Sequence, residues 1–381
     1  MIDFPARRRR LSALAAARGL DGVLVFSWRR AAVAWCCGYT PGFATNWAAL
    51  WIGRDGEATL GVRFPFELER AARESGLPCV EAPLPIAVVP LAARAIGIVA
   101  GDVAIDELPV EVAAELARCG IAHERLDDEL NAWRAIKGPA EIAALKRAAA
   151  ICSAALWAGA SSTQWSDDFA LAAAVEAACR ARGATRALCL VGAGDGAVVT
   201  EPHGAPLPLD GPIGVELTIQ LPDGSGHVCH TYAEGLAAQR CAAARIACER
   251  ARAAIIATIA PGTPVDAVVA AGEAELARHG LLGSREYDFG HGIGLETPER
   301  PRLLAGLGER IAVGQVIAVH VGVRRAALGT WVTGGPVVVG DDGASELLRG
   351  APWSAPDAVA GAHIATTPPP IPKTRATAAI R

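Results

Sequence analysis

The residues with the most chemistry to offer are histidines set among glycines, prolines and acids. In the stretch Asp288-Phe289-Gly290-His291-Gly292-Ile293-Gly294-Leu295-Glu296-Thr297-Pro298-Glu299, His291 sits between glycines that let other groups approach closely. An imidazole with a carboxylate nearby can move protons as a general acid or base. Taken alone, a histidine flanked by glycine is equally a structural turn. His203, in Glu201-Pro202-His203-Gly204, has the same two readings, proton exchange or a surface turn. His320 lies between Val319 and Val321 in an apolar run, where an imidazole must meet a polar partner or a cavity. His227, Cys229 and His230, with His291 and His320, are zinc-type ligands but lack a compact ligand spacing. The run Gly192-Ala193-Gly194-Asp195-Gly196 resembles a dinucleotide loop. It leads into Ala197-Val198-Val199-Thr200 and Pro202 instead of a helix N-terminus, which excludes a Rossmann site.

These residues must be positioned by two kinds of architecture. Residues 5–19 read as a helix, 22–26 and 48–53 as strands, with ATLGV (58–62) continuing beyond. A helix over 66–76, a proline-rich crossing, a strand near 103–105 and a helix over 109–119 complete an α/β pattern. Residues 133–159 read as a hinge running into a helix, with Pro139 in its first turn. Beyond it come a helix over 167–182 and a strand over 187–191. Strands over 213–221 and 226–234 flank the turn Pro222-Asp223-Gly224. Helices over 237–259 and 264–279 and strands over 316–323 and 330–339 follow, an α+β arrangement. The expected domains are 1–130 and 131–355, with a proline-rich tail over 356–381.

Composition narrows the classes. At 381 residues the chain can bury more than one core, and 52% hydrophobic against 20% charged residues excludes a disordered chain. A net charge of −4 gives no field to draw nucleic acid or an acidic membrane, so neither is expected as a partner. The ten cysteines include no C-x-x-C, and four of them, Cys152, Cys179, Cys241 and Cys248, fall in alanine-rich helical patterns, which suits reduced thiols and a cytoplasmic protein. The run Arg7 to Arg10 is followed by a stretch interrupted by Arg18 and Asp21, which argues for an amphipathic helix over a signal peptide. No apolar run is read as a membrane span.

Four segments in order carry a resemblance: the hinge RAIKGPAEIAALKRAAAI (134–151), Pro202-His203, GHGIGLETPERP (290–301) and LGERIAVGQVIAVHVGV (307–323). Together they resemble the creatinase/aminopeptidase P/prolidase family, M24. The resemblance covers nearly the whole chain and implies an α/β creatinase-like N-terminal domain followed by an α+β pita-bread catalytic domain. Peptidases of that family hold two divalent metals with two Asp, one His and two Glu. Here the His corresponds to His291, while the Asp positions fall near Gln220 and near Thr231 or Tyr232, with Asp223 and Glu234 close by. The Glu positions fall on His320 and near Gly334, and Pro298 replaces a second histidine.

A site short of carboxylates implies no metal and no cofactor, as in creatinase and ectoine hydrolase. The expectation is a metal-independent hydrolase that cleaves a C–N bond of a small polar molecule and is not a peptidase. By the same resemblance His203 is the general base, His291 and Glu299 assist catalysis, and Glu234, His320, Asn46 and Trp331 bind substrate. The protein would be a homodimer, with Asn46 and its neighbours Phe43 and Trp47 on a loop completing the pocket of the partner subunit. The alternatives are a metal-dependent Xaa-Pro aminopeptidase or dipeptidase using Mn, Co or Zn, and a catalytically dead binding protein.

Overall fold

The computed structural model describes residues 2–27, 31–42, 46–100, 110–160, 165–194, 196–208, 211–325, 329–349 and 351. The strand expected near 103–105 and the tail over 356–381 lie outside these residues. The chain forms two compact units, the first reaching Ile136 and including Pro298–Arg300, the second running Lys137–Thr297 and from Pro301 onward.

In the first unit, α1 (Phe4–Ala17) starts where the Asp3 carboxylate accepts the Ala6 N–H at 2.8 Å, with Pro5 in the first turn. Then come β1 (Gly22–Ser27), α2 (Ala31–Cys37), β2 (Ala48–Gly53), β3 (Ala58–Val62), α3 (Leu68–Ser75) and β4 (Cys79–Glu81). β5 (Ala95–Val99), α4 (Val110–Arg118), β6 (Ala122–Arg125) and α5 (Asp127–Ala135) complete it. The sheet order is β4-β3-β2-β1-β5-β6, an antiparallel meander extended on both sides by parallel neighbours. Leu24, Phe26, Ile96 and Ile98 are fully buried, as the apolar runs of central strands require. An ion pair is sealed inside this unit. Arg134 Nη2 donates to Glu299 Oε1 at 2.7 Å, with the two side chains 2% and 4% exposed.

In the second unit, α6 (Pro139–Ala160) and α7 (Asp168–Arg180) precede β7 (Arg186–Ala193), β8 (Ile213–Leu221) and β9 (Gly224–Tyr232). After α8 (Gly235–Arg240), α9 (Ala242–Thr258) and α10 (Val265–Arg278) come β10 (Gly290–Gly292), β11 (Glu299–Arg302, its first two residues counted with the first unit), β12 (Val316–Arg325), β13 (Gly329–Gly340) and β14 (Gly343–Glu346). The sheet runs β11-β10-β12-β13-β9-β8-β7, with β14 paired to β13. α6 has the length and mean hydropathy, 1.3, of a membrane span, although none was read from the sequence. Some 61% of that window is buried inside the protein, which identifies a core helix.

Alternation along β12 shows how both sheet faces are covered. Val316 and Ala318 join the core of α6, α7 and β8, while Ile317, Val319, Val321 and Val323 join that of α9 and α10. His320 belongs to the even set. Two sequence-predicted boundaries shift. The helix expected over 237–259 breaks at Cys241 into α8 and α9. The turn of the β8–β9 hairpin is only Pro222-Asp223, because Leu221 already pairs with Gly224, so β9 starts two residues earlier than expected.

The loop containing His203 is tied down by a buried carboxylate. Asp168 accepts the backbone N–H of His203 at 3.0 Å and of Gly204 at 2.9 Å. Burial alone would raise the Asp168 carboxyl, but the backbone N–H groups around it outweigh that and hold it below its ordinary 3.8. Its stabilising contribution is therefore present above about pH 4 and lost as pH falls through the lowered native value. We expect Asp168→Ala to cost about 1–3 kcal/mol by urea denaturation, since it removes a buried carboxylate that accepts two backbone N–H bonds from the loop. Asp168→Asn should flatten the loss of stability on the acid side, and an unchanged urea midpoint for both variants would refute the anchoring role. Glu299→Gln removes the carboxylate charge that faces the buried Arg134 guanidinium, and should cost about 3–5 kcal/mol in the same measurement.

Candidate active site

Strand register brings three histidines to one place. The two-residue turn of the β8–β9 hairpin sets Thr218 opposite His227 and Glu216 opposite Cys229. β13 meets β9 with Gly334 opposite Cys229, and β12 meets β13 with His320 opposite Gly334. On the other side of β12, His291 of β10 pairs with Ala318. Two glycines make this approach possible. Gly290 has φ of 136°, and a Cβ there would lie 2.0 Å from the Ala318 carbonyl oxygen. A Cβ on Gly334 would lie 2.4 Å from both Cα and Cβ of His320.

The rings of His227, His291 and His320 pack with centroids 5.0, 5.3 and 5.5 Å apart. Their ligand nitrogens all fall within 4.8 Å of one another, a set that a metal ion can bridge. All three side chains are buried. Burial pushes His227 and His291 down to about 4 and His320 well below its ordinary value, so all three are neutral at neutral pH. Thr218 Oγ1 holds His227 Nδ1 at 3.0 Å. His291 Nδ1 lies 3.1 Å from the Gly292 carbonyl; a carbonyl can only accept, so Nδ1 carries the proton and Nε2 keeps its lone pair.

Two carboxylates and a phenol surround the rings. Glu216 Oε1 is 3.9 Å from His227 Nε2, and Asp288 Oδ1 is 3.8 Å from His320 Nε2. Burial raises the Glu216 carboxyl, with His291 pulling the other way. The Tyr287 ring meets His320 edge-on at 5.1 Å. The arrangement can bind a cation, or accept a proton on a neutral imidazole beside a polarised carbonyl.

Of the catalytic and substrate-binding residues expected from the sequence, His291 and His320 come together here, joined by His227 of the zinc-type set, and the others do not. His203 is 66% exposed and lies beside Asp168, its Nδ1 3.4 Å from Oδ2. Glu299 is occupied by Arg134. Glu234 is exposed at the start of α8, because the early start of β9 ends that strand at Tyr232. Asn46 is buried in the first unit, where its amide donates to Glu67 and its oxygen accepts the Trp47 N–H; Phe43 lies outside the described residues. Trp331 packs in the core of α9 and α10.

The positions expected for the two Asp also face elsewhere. The Thr231 hydroxyl donates to the Val332 carbonyl, and the Tyr232 hydroxyl to the Leu156 carbonyl. His227, Glu216 and Thr218 are the residues that the sequence reading underused. Val215, Leu217, Ile219 and Leu221 alternate as one buried face, which leaves Glu216 and Thr218 on the other. A two-residue turn at Pro222-Asp223 then pairs Thr218 with His227 by counting alone.

Comparison with known proteins bears on the fold and the family. No curated protein matches the chain. Among solved structures, a prolidase from Pyrococcus horikoshii OT3 is similar with a TM-score of 0.81 at 18% identity, over 93% of this chain and 100% of the other. The dipeptidase PepE from Mycobacterium ulcerans gives 0.75 at 22%, over 92% and 96%. An X-Pro aminopeptidase from Thermotoga maritima MSB8 gives 0.77 at 17%, over 91% and 98%. The second unit thus has the pita-bread fold. The model of metallopeptidase family M24 matches residues 143–346, more than half of the sequence and the whole stretch that carries the histidine cluster; the chain belongs to that hydrolase family.

Proposed function

We propose that this protein is an M24-type hydrolase that cleaves a peptide-type C–N bond at the centre formed by His227, His291 and His320. The observation that carries the reading is the convergence of three buried, neutral imidazoles within 4.8 Å. Burying that many polar rings is costly unless they meet a ligand. The similar structures named above are a prolidase, a dipeptidase and an X-Pro aminopeptidase, which supports a peptide substrate over a small non-peptide amide. They lend nothing to the expectation that the enzyme is not a peptidase, or to the metal-independent, creatinase-like course.

The chain's own groups would act as follows. Gly292 and Thr218 fix the orientation of the His291 and His227 rings. With no metal ion bound, the lone pair of His291 Nε2 would accept a proton from the attacking water and return it to the leaving nitrogen. With one bound, that lone pair would be a ligand, and Glu216 beside the cluster would carry the proton. Tyr287 and the sheet around His320 limit access of bulk water, which strengthens each polar contact inside. A metal ion, when bound at such a centre, supplies Lewis acidity and an acidified water.

The test is turnover of a panel of Xaa-Pro dipeptides and small acylated amines, each with Zn, Mn or Co and again with chelator. Hydrolysis of at least one class is expected. His291→Ala should lower it by about a hundredfold to ten-thousandfold, the usual worth of a positioned acid–base group. His203→Ala, altering an exposed loop residue outside the cluster, should leave the rate within about threefold, a change of under 1 kcal/mol. A folded protein that hydrolyses no amide under any of these conditions would overturn the reading, as would full activity in His291→Ala.

A further inference from the structure

We propose that His227, His291 and His320 form a site for a single transition-metal ion of the zinc class, in place of the pair of hard divalent ions that the family resemblance implies. Imidazole nitrogens suit zinc, cobalt, nickel and copper, whereas manganese and magnesium prefer carboxylate oxygen. Among the described residues this is the group of His, Cys, Asp and Glu side chains whose ligand atoms converge, and all three members are histidines. Three protein nitrogens with one open position is the usual composition of a catalytic zinc site.

His320 gives independent support. Its ring is buried, its Nδ1 has no hydrogen-bond partner, and its Nε2 is 3.8 Å from Asp288, beyond hydrogen-bonding distance. A buried imidazole in that state lacks the compensation that buried polar groups normally find, and a bound cation would supply it. The surroundings also match an outer shell. His291 donates its Nδ1 proton to a backbone carbonyl, Thr218 holds His227 Nδ1, and Asp288 stands by His320. The Asp288 carboxylate is itself held by Arg302 at 2.9 Å.

The same geometry works against a second ion. Two metals about 3.5–4 Å apart act as a joint clamp on attacking and leaving oxygens, and hard ions of that kind need several carboxylate oxygens around them. Only two carboxylates, Glu216 and Asp288, stand beside the ring nitrogens among the described residues, and Arg302 already pairs with Asp288. No side chain can enter from β13 opposite His320, since even a methyl group on Gly334 would collide with the His320 backbone. The residues therefore fit one nitrogen-liking ion and do not fit two oxygen-liking ones.

The site shares its residues with the hydrolase reading but is tested without substrate. The full chain is stripped with chelator, dialysed against Zn2+, Co2+ or Mn2+ alone, and assayed by elemental analysis, by the visible spectrum of the cobalt form and by thermal melting. We expect about one zinc or cobalt per chain, a raised melting temperature and no retained manganese. His227→Gln and His320→Gln should alter the cobalt spectrum and weaken binding by at least about tenfold. His230→Gln, on the opposite face of β9 against Tyr232, should change neither. Folded protein that takes up no ion, or that holds two manganese ions, would overturn the proposal, as would an unchanged cobalt spectrum in both cluster variants. Bound zinc with no turnover of any amide would uphold the site and overturn the hydrolase reading. Turnover by protein that takes up no ion would do the reverse.

Discussion

The buried guanidinium of Arg252 holds in place the strands on which the site depends. From α9 it donates to the Val319 carbonyl at 3.0 Å and to the Gly335 carbonyl at 3.2 Å, and it pairs with Glu346 on β14 at 3.1 Å. Those carbonyls belong to the residues directly after Gly334 and directly before His320. A guanidinium taken out of water costs several kcal/mol unless its partners are all present. That cost penalises any slip of β12 against β13. A slip of one residue would also turn His320 to the α9–α10 face and send a valine into the histidine cluster. One cation thus ties helix packing, strand register and site geometry together.

The glycines around the cluster follow from the same register. Where β9, β10 and β12 present imidazoles to a common point, the strand between β12 and β9 must present nothing there. Gly334 meets that need on β13, and Gly290, next to His291 on β10, has a positive φ that carries the chain past the Ala318 carbonyl. Glycine in a strand weakens the strand, and a buried imidazole weakens the core. Both weaknesses are concentrated within a few ångströms, while the α6 and α9 faces of the sheet are packed with alanine, valine, leucine and isoleucine.

Much of the fold can be read from periodicity. β1, β2, β3 and β8 are apolar or alternating runs bounded by turns, and Pro139 marks the start of α6. What escapes reading is short or lacks punctuation. β6 is Ala-His-Glu-Arg, a polar edge of four residues; β10 is three residues of Gly-His-Gly; and α8 gives way to α9 at Cys241 with neither glycine nor proline. In the site, His291 and His320 are legible because glycines or valines make an imidazole conspicuous. Glu299 misleads because its partner, Arg134, lies 165 residues away, a distance over which no local pattern can act. Glu234 misleads through a hairpin turn one residue tighter than Pro222-Asp223-Gly224 suggests.

Burial acts on acids and bases in the cluster toward one end. It pushes the histidines down and Glu216 up, so both kinds of group move toward their uncharged forms. The pocket that results is poor in fixed charge of its own, apart from Asp288, which Arg302 offsets. In so weakly screened a place, an arriving charge or strongly polarised group dominates the local field. An arriving cation would find three lone pairs with no competing protons and would draw Glu216 back toward its ionised form. A histidine set that kept its protons at neutral pH would instead repel that cation. The apolar sheet around the cluster therefore holds the imidazoles in their neutral form, the form in which a ring nitrogen can take up a cation or a proton.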